Sequence, residues 1–196
     1  MSGGCGAEPV GRDDWRPAMV EAVTSVHPDG LAARLLTPAD AASYLDLTRR
    51  AADFYEDYDG GLPTLDEVAA DMAALPPGAH SESKATLGVF REDVLVAYLD
   101  LLAGYPDEAT WFLGLLLVAD SERGSGLGTA VVTGVAQAAS DRGATCLALG
   151  VYDANAPARA FWTRQGFRDD RHLPDYRNPH GQLQPVTRLV RPLGQP

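Results

Sequence analysis

The sequence lacks several features that mark other classes of protein. Only two cysteines, Cys5 and Cys146, occur in 196 residues, and neither lies in a Cys-x-x-Cys or Cys/His metal spacing. A disulfide scaffold and a structural metal are therefore not predicted. The longest apolar run, 109–119, is far shorter than the ~20 residues of a membrane-spanning helix, and residues 1–15 contain no hydrophobic signal core. These absences predict a cytoplasmic protein with no membrane segment.

Positive charge is also scarce. The chain has 16 Lys and Arg against 27 Asp and Glu, a net charge of −11. A surface that binds nucleic acid or an anionic membrane needs a positive face, so neither is a predicted partner. The charge is distributed unevenly along the chain. Residues 1–120 carry 7 basic and 21 acidic side chains (−14), whereas residues 121–196 carry 9 basic and 6 acidic side chains (+3). An anionic ligand is therefore expected to bind the second part.

What is present is the pattern of one folded domain. Residues 1–30 show no sustained period and are interpreted as an N-terminal appendage, although 17–26 could form a helix; the domain is expected to span 31–196. The predicted elements are a strand at 31–36, helices at 38–52 and 65–75, strands at 86–90, 94–102 and 110–118, a helix from 127, a strand at 145–151, a helix at 156–165, and one or more final strands including 186–190. This order predicts an α/β domain with a mixed, mostly antiparallel sheet and helices on both faces.

The most informative segment is Arg123-Gly124-Ser125-Gly126-Leu127-Gly128, between a buried strand and a helix. Successive glycines there can turn backbone N–H groups toward one point at a helix N-terminus, which suits a phosphate or pyrophosphate. Two nucleotide motifs fail on spacing. A Rossmann fingerprint would need glycine where Thr129 stands, and a Walker A loop would need lysine after its last glycine.

The spacing that fits is Arg-x-x-Gly-x-Gly, and here the chain resembles the GNAT superfamily of acyl-CoA-dependent N-acyltransferases. The resemblance continues through LLLVADSERGSGLGTAVV, the strand CLALGVY, and Asn155-Ala156-Pro157-Ala158-Arg159-Ala160-Phe161-Trp162-Thr163-Arg164-Gln165-Gly166-Phe167. The last piece is similar to the family's N-x-x-A-x-x-F-Y-x-x-x-G-F. The specific motifs lie within 115–167, and the order of elements agrees from residue 31 onward.

The resemblance implies acetyl-CoA, or another acyl-CoA, as co-substrate and assigns residues to it. Backbone groups of Leu116, Leu117 and Val118 would meet the pantetheine arm and the thioester carbonyl, and 123–128 would hold the pyrophosphate. Asn155 would contact the pantetheine or serve only as a helix cap.

Two residues depart from the family pattern. The position where relatives often carry a tyrosine that protonates the departing thiolate is Trp162, and a glutamate common eleven residues before the loop arginine is Phe112. The indole N–H of tryptophan is not a general acid. The catalytic acid and base are therefore unassigned. Tyr152, Tyr98 and Asp100, on strands beside the expected site, are candidates for these roles or are structural residues; as a structural residue, Asp100 is expected to face outward.

The acceptor side is expected between the first two predicted helices, where Tyr55, Asp57, Tyr58 and Asp59 interleave aromatic rings with carboxylates. Such a set suits a cationic amine through cation–π contacts and ion pairing. A solvated acidic loop is the alternative. The sequence leaves open whether the chain forms a homodimer.

The functional hypothesis is acyl transfer, most simply acetyl transfer, to a primary amine of a small molecule or a protein by direct attack in a ternary complex. The alternative is a module that binds CoA or acyl-CoA without turnover, which the departures at Phe112 and Trp162 favour. A general phosphate-ligand domain is a third alternative, but no metal-binding or kinase motif accompanies the loop.

Overall fold

A computed structural model describes residues 14–25, 30–178 and 180–194. The helices are α1 (Arg16–Ser25), α2 (Ala41–Arg49), α3 (Ala52–Phe54), α4 (Leu65–Ala73), α5 (Leu127–Asp141) and α6 (Ala156–Arg164). The strands are β1 (Leu31–Leu35), β2 (Lys84–Arg91), β3 (Val94–Ala103), β4 (Thr110–Val118), β5 (Cys146–Tyr152), β6 (Arg168–Leu173) and β7 (Val186–Pro192). Among these residues no helix is both long enough and apolar enough to span a bilayer.

The strands form one sheet in the order β1-β2-β3-β4-β5-β7-β6. Of the neighbouring pairs in this described sheet, only β4 and β5 are parallel, joined by α5 as the crossover helix, and the others are antiparallel. The predicted mixed, mostly antiparallel sheet is confirmed.

The centre of the sheet opens into a cleft. The parallel ladder between β4 and β5 ends at the Leu113–Leu149 pair, although both strands continue. On its other edge, β4 changes register against β3 at the same level, because Leu101 pairs with Leu113 and Asp100 pairs with Leu115. Gly114 is thus the extra residue of a bulge, which bends its strand. The second half of β4 therefore remains paired with β3 and separates from β5.

Helices cover both faces of the sheet, as predicted. One core cluster joins α1 and α5 to inward residues of the strands, among them Leu99 and Leu101 of β3. A second cluster joins α2 and α4 to the opposite face, where Tyr98 lies. Because side chains alternate along a strand, Asp100 shares the face of Tyr98.

Helix α1 corrects the interpretation of 1–30 as an appendage. Met19 is 0% exposed and Val23 is 3% exposed in the main core cluster, and Trp15 packs on Trp111 of β4 with ring centroids 4.8 Å apart. Residues 16–25 are therefore part of the domain's core, and residues 1–13 and 26–29 lie outside the described residues. The sequence signal is weak because α1 is only ten residues long, too short for a sustained helical period.

Other differences are local. The helix predicted to reach residue 52 ends at Arg49, and the segment considered as an acidic loop is helical: one turn of α3 continues into a π turn at Tyr55–Asp59. The strand β6 was not specifically predicted, because all of its residues are exposed and it carries no alternating apolar pattern.

Candidate functional site

A cavity of about 790 Å³ occupies the cleft between β4 and β5. Its floor includes Gly114, Leu116 and Tyr152, and its walls come from α3, the π turn, α4 and α6. The cavity thus lies where the sheet separates, and residues of both core clusters line it, among them Tyr44 of the second cluster and Trp162 of the first.

The glycine-rich loop leads directly into α5. Gly124 and Gly126 have φ of +79° and +94°, and a Cβ built on either would meet no atom within 4 Å. Residues 123–126 are exposed, and Ser125 Oγ donates to the Glu122 carbonyl at 2.7 Å, which fixes the turn. The first turn of a helix presents N–H groups without an intrahelical acceptor. The loop is therefore open to solvent above a set of backbone donors, as an anion site requires.

Arg123 is engaged by acidic residues. Its guanidinium forms a two-pronged pair with Asp53, with N–O distances of 2.5 and 2.8 Å, and also lies 3.0 Å from Asp120. This pairing lowers the pKa of Asp53. Because Asp53 belongs to α3, the pair links the glycine-rich loop to the wall of the cavity.

The other residues expected to bind the co-substrate lie at the end of β4, at the start of α5 and at the start of α6. Leu116 lines the cavity, whereas Leu117 is 3% exposed in the second core cluster and Val118 is half-buried, so these two could contribute through their backbones. Asn155 lines the cavity and caps α6, accepting from the Ala158 N–H at 3.0 Å. A Cβ on Gly128 would lie 3.2 Å from the Phe161 ring, so this glycine allows close packing of α5 on α6.

The acceptor residues predicted from sequence separate into two pairs. Tyr55 and Asp59 line the cavity, whereas Asp57 is exposed and neither it nor Tyr58 belongs to the lining. The Tyr152 hydroxyl donates to Asp59 Oδ1 at 2.8 Å. Burial raises the pKa of Asp59, and the hydrogen bond from Tyr152 acts against that rise. The pKa of Tyr152 is raised mainly by burial and to a smaller extent by the negative charge of Asp59, so the phenol keeps its proton.

A chain of tyrosines lies beneath this part of the cavity. Tyr98 is fully buried and stacked on Tyr44 at 3.8 Å, and the described residues offer its hydroxyl no hydrogen-bond partner. Tyr98 is not part of the cavity lining, which favours a structural role. Tyr44 and Tyr55 share a hydrogen bond of 3.0 Å, and Tyr44 also donates to Asp71 at 3.3 Å. Burial raises the pKa of Asp71.

Asp100 lies at the base of the cleft. Its Oδ2 is 2.8 Å from the position that a Cβ of Gly114 would take, and its Oδ1 is 3.2 Å from Lys84 Nζ in an ion pair. Lys84 also donates to the Ala74 carbonyl at 2.7 Å, at the end of α4. The side chain of Asp100 is 20% exposed and lines the cavity. The expectation that Asp100 faces outward is wrong, because α4 and the π turn cover that face.

The two departures from the family motif are both at the cavity. Phe112 is half-buried with its ring edge-on to Tyr105, and Trp162 is 8% exposed among Phe161 and Phe167. Both line the cavity as apolar surface.

Sequence reasoning missed several lining residues. Asp71 and Glu67 come from α4, and Tyr176, His180 and Arg188 from the C-terminal part of the chain. A signal existed for Asp71, which stands three residues after Val68, on the buried side of that helix. No comparable pattern marks Tyr176 or His180. Within the described parts of the chain, no three His, Cys, Asp or Glu residues are placed to hold a metal ion.

Known proteins share this arrangement. The model of the acetyltransferase (GNAT) family matches residues 46–167. An acetyltransferase of known structure from Thermus thermophilus is 30% identical to this chain, with a TM-score of 0.66, and the match covers 83% of this chain and 97% of that one. A search of curated proteins found no significant match.

More distant structures share the fold. The ribosomal-protein-S18-alanine N-acetyltransferase of Escherichia coli is 16% identical with a TM-score of 0.63, covering 85% of this chain and 96% of that one. A spermidine N-acetyltransferase SpeG chimera from Vibrio cholerae and hSSAT is 16% identical with a TM-score of 0.65, covering 84% and 96%. The acceptors for which these two proteins are named differ at equal similarity, so the fold does not indicate the acceptor.

Proposed function

Since the chain belongs to the acetyltransferase (GNAT) family, we propose that it transfers an acetyl group from acetyl-CoA to the primary amine of a cationic small molecule or lysine-bearing protein. The observation that carries this proposal is the cleft between β4 and β5, which holds an acidic cavity and whose β4 strand leads on to the glycine-rich loop. The amine and the thioester would meet there in one ternary complex, so that positioning supplies much of the rate.

The residues present fit acetyl-CoA. The open space above Gly124 and Gly126 leaves room for a pyrophosphate against the first turn of α5, and 116–118 offer backbone groups beyond the last pair of the parallel ladder. These groups would hold the pantetheine arm and orient the thioester carbonyl. When bound, acetyl-CoA supplies the activated acyl group, with a thiol of pKa near 8.5 as leaving group.

The cavity supports a cationic acceptor. Its ionisable lining comprises Asp59, Glu67, Asp71 and Asp100 against Arg188 and His180, and Arg188 is itself paired with Asp170 at 3.0 Å. Phe54, Tyr55 and Tyr152 add aromatic faces. An ammonium group is attracted by carboxylates and by aromatic faces alike. Polyamine-like, aminoglycoside-like and lysine-bearing amines are therefore preferred over amines with free carboxylates.

Variants of Asp57 and Asp59 in the π turn can distinguish direct binding of the acceptor from the effect of surface charge. Asp59→Asn is expected to raise the acceptor KM about tenfold, the equivalent of one charge-assisted contact, because Asp59 lies inside the cavity. Asp57→Asn, a change of the same charge on an exposed residue, is the matched control and should leave KM within about twofold at 0.1 M salt. Steady-state kinetics with the best amine measures both, and equal effects would show that only the general field matters.

The pair between Arg123 and Asp53 predicts a gain of affinity. Asp53→Ala should tighten CoA binding by about two- to fivefold, because it removes the two-pronged partner of the guanidinium and leaves only the contact with Asp120 to compete with the pyrophosphate. Exposed ion pairs are worth at most ~1 kcal/mol, so the gain is small. Asp46→Ala removes the comparable exposed partner of Arg50 and serves as control. Isothermal titration with CoA measures the change. Weaker CoA binding in Asp53→Ala would show that the carboxylate supports the loop instead of competing for it.

The test of the function is release of free thiol from acetyl-CoA across a panel of amines, with a titration of acetyl-CoA alongside. Thiol release with a cationic amine, together with the mass of the acetylated product, supports the proposal. Binding of acetyl-CoA without turnover on any amine supports the alternative, a sensor module, which Phe112 and Trp162 favour because neither side chain can serve as acid or base. Failure to bind acetyl-CoA overturns both.

A further inference from the structure

We propose that Asp100 on β3 is the catalytic base of this site, the group that takes the proton from the acceptor ammonium before it attacks. This inference rests on the proposed function. The proposed base is therefore on β3, the strand next to β4. On β4, Phe112 stands at the position where the family often has a glutamate, and phenylalanine cannot act as a base.

The position of Asp100 suits this role. Its Oδ2 lies against the bulge residue Gly114, 2.8 Å from where a Cβ would stand, and the β4–β5 ladder ends one residue earlier at Leu113. The carboxylate therefore lies at the point where the two strands separate. The absence of a side chain at residue 114 leaves that carboxylate uncovered on the cavity side, since Gly114 itself is exposed and lines the cavity.

Asp100 is also continuous with the acceptor side, because Asp59, Asp71 and Asp100 line one cavity. An ammonium group attracted by Asp59 at the π turn can thus approach Asp100 without crossing an apolar barrier of protein. The thioester carbonyl, oriented by the backbone of 116–118, would lie on the adjoining part of β4, within reach of an amine held at Asp100.

The environment of the carboxylate makes it more basic than usual. Burial raises the pKa of Asp100 to about 6, and the ammonium of Lys84 on β2 opposes that rise. Asp71 on α4 raises it further. Tyr98 on the same strand, Tyr44 on α2 and Tyr55 on the π turn remain protonated, since burial raises the pKa of each phenol. Asp100 is thus ionised at neutral pH and more basic than an exposed aspartate, as a general base must be.

The proton balance is complete. Asp100 accepts one proton from the ammonium, and the freed lone pair of nitrogen forms the N–C bond with the thioester carbon. The C–S bond breaks with its electron pair on sulfur. A second nitrogen proton passes to the thiolate, directly or through water, which leaves a neutral amide with one N–H and a free thiol. Asp100 then loses its proton to solvent, so each turnover releases one proton.

The decisive variant is Asp100→Asn, which keeps the size of the side chain and an oxygen for Lys84. With the best amine of the panel, kcat is expected to fall by about a hundredfold or more, the usual range for loss of a general base. The wild-type kcat/KM should fall below a pH of about 6, and this acid limb should be absent in the variant. Acetyl-CoA affinity and thermal stability should change little, which separates a catalytic role from a structural one.

Two further variants move the acid limb in opposite directions. Lys84→Met removes the cation that opposes protonation, so the limb should move to higher pH; Asp71→Asn removes a nearby carboxylate, so the limb should move to lower pH. A residue of structural importance alone would lower activity at every pH without these shifts. These two variants also test the base if Asp100→Asn fails to fold. His180→Gln is the control for the limb, because His180 is a histidine of the cavity lining.

The outcomes separate this inference from the proposed function. A wild-type protein that binds acetyl-CoA but acetylates no amine overturns the proposed function and this inference with it. An active wild-type protein whose Asp100→Asn variant keeps its kcat and its acid limb overturns the base assignment alone, as does loss of the limb in His180→Gln. Loss of the limb in Asp100→Asn with opposite shifts in the Lys84 and Asp71 variants supports it.

Discussion

Replacing Gly126 by valine is expected to weaken CoA binding by about a hundredfold or more, a loss of ~2.7 kcal/mol, while the domain stays folded. Gly126 is the residue before α5, with φ of +94°, a conformation that a β-branched side chain adopts only with strain. The new side chain would project into the space that the pyrophosphate needs, since no protein atom lies within 4 Å of its Cβ position. Isothermal titration with CoA measures the loss.

The control for Gly126→Val is Gly143→Val. Gly143 follows α5 at its other end, also has positive φ (+78°), and also has open space around its Cβ position. The backbone strain is therefore similar, but CoA affinity should stay near the wild-type value. Arg123→Ala should have a smaller effect than Gly126→Val, because one side chain already paired with Asp53 is lost and the backbone donors remain. A folded Gly126→Val protein with wild-type CoA affinity would remove the basis for placing the pyrophosphate at 123–128.

The second large effect is on stability, and its site is the contact between α1 and α5. Gly134→Val should lower Tm by about 5–15 °C, the equivalent of ~2–4 kcal/mol in a chain of this size. A Cβ at residue 134 would lie 2.7 Å from Val23 Cα and 2.8 Å from its N atom. These are backbone atoms, which cannot rotate away, so α1 would have to move off the sheet and expose Met19 and Val23.

Thermal unfolding followed by circular dichroism measures this change. Thr133→Val is the matched control, since it introduces the same side chain one residue earlier on the exposed side of α5, and it should shift Tm by no more than about 2 °C. Gain of helix propensity on replacing glycine works in the opposite direction and is worth only ~1 kcal/mol. An unchanged Tm in Gly134→Val would show that α1 does not pack against α5 in solution.

The elements that could be predicted from sequence are those with a local signal. The start of α5 could be predicted because the glycines up to Gly126 precede an apolar pattern with helical spacing that begins at Leu127. The sequences of β2, β3 and β4 are apolar enough to be recognised as strands. Helix α1 could not be recognised as part of the core, because its helical period is short and its two core residues, Met19 and Val23, depend on a partner more than 100 residues away. Such a contact leaves no pattern in a short window.

In the candidate site, too, the contiguous motifs could be predicted from sequence, whereas contacts between distant residues could not. The glycine-rich loop and the Asn155 cap are contiguous motifs; the structure places Asn155 in the cavity lining and the loop between the end of β4 and α5. The pairing of Arg123 with Asp53 joins residues 70 positions apart, and the approach of Asp100 to Gly114 depends on strand register and on one bulge. Local sequence does not specify such a register shift, so the exposure and neighbours of Asp100 could not be derived from it.

The π turn at Tyr55–Asp59 has a consequence for how this scaffold changes over time. In this wide turn the N–H of Gly60 bonds to the carbonyl of Tyr55, five residues back, so the turn holds one residue more than an α-helical turn. Deleting a single residue there would rotate the side chains that follow by about 100° and remove Asp59 from the cavity wall. Neither the sheet nor the glycine-rich loop would need to move. Acceptor preference can therefore diverge between descendants of this protein through a change of length in one short turn, while the acetyl-donor side stays the same.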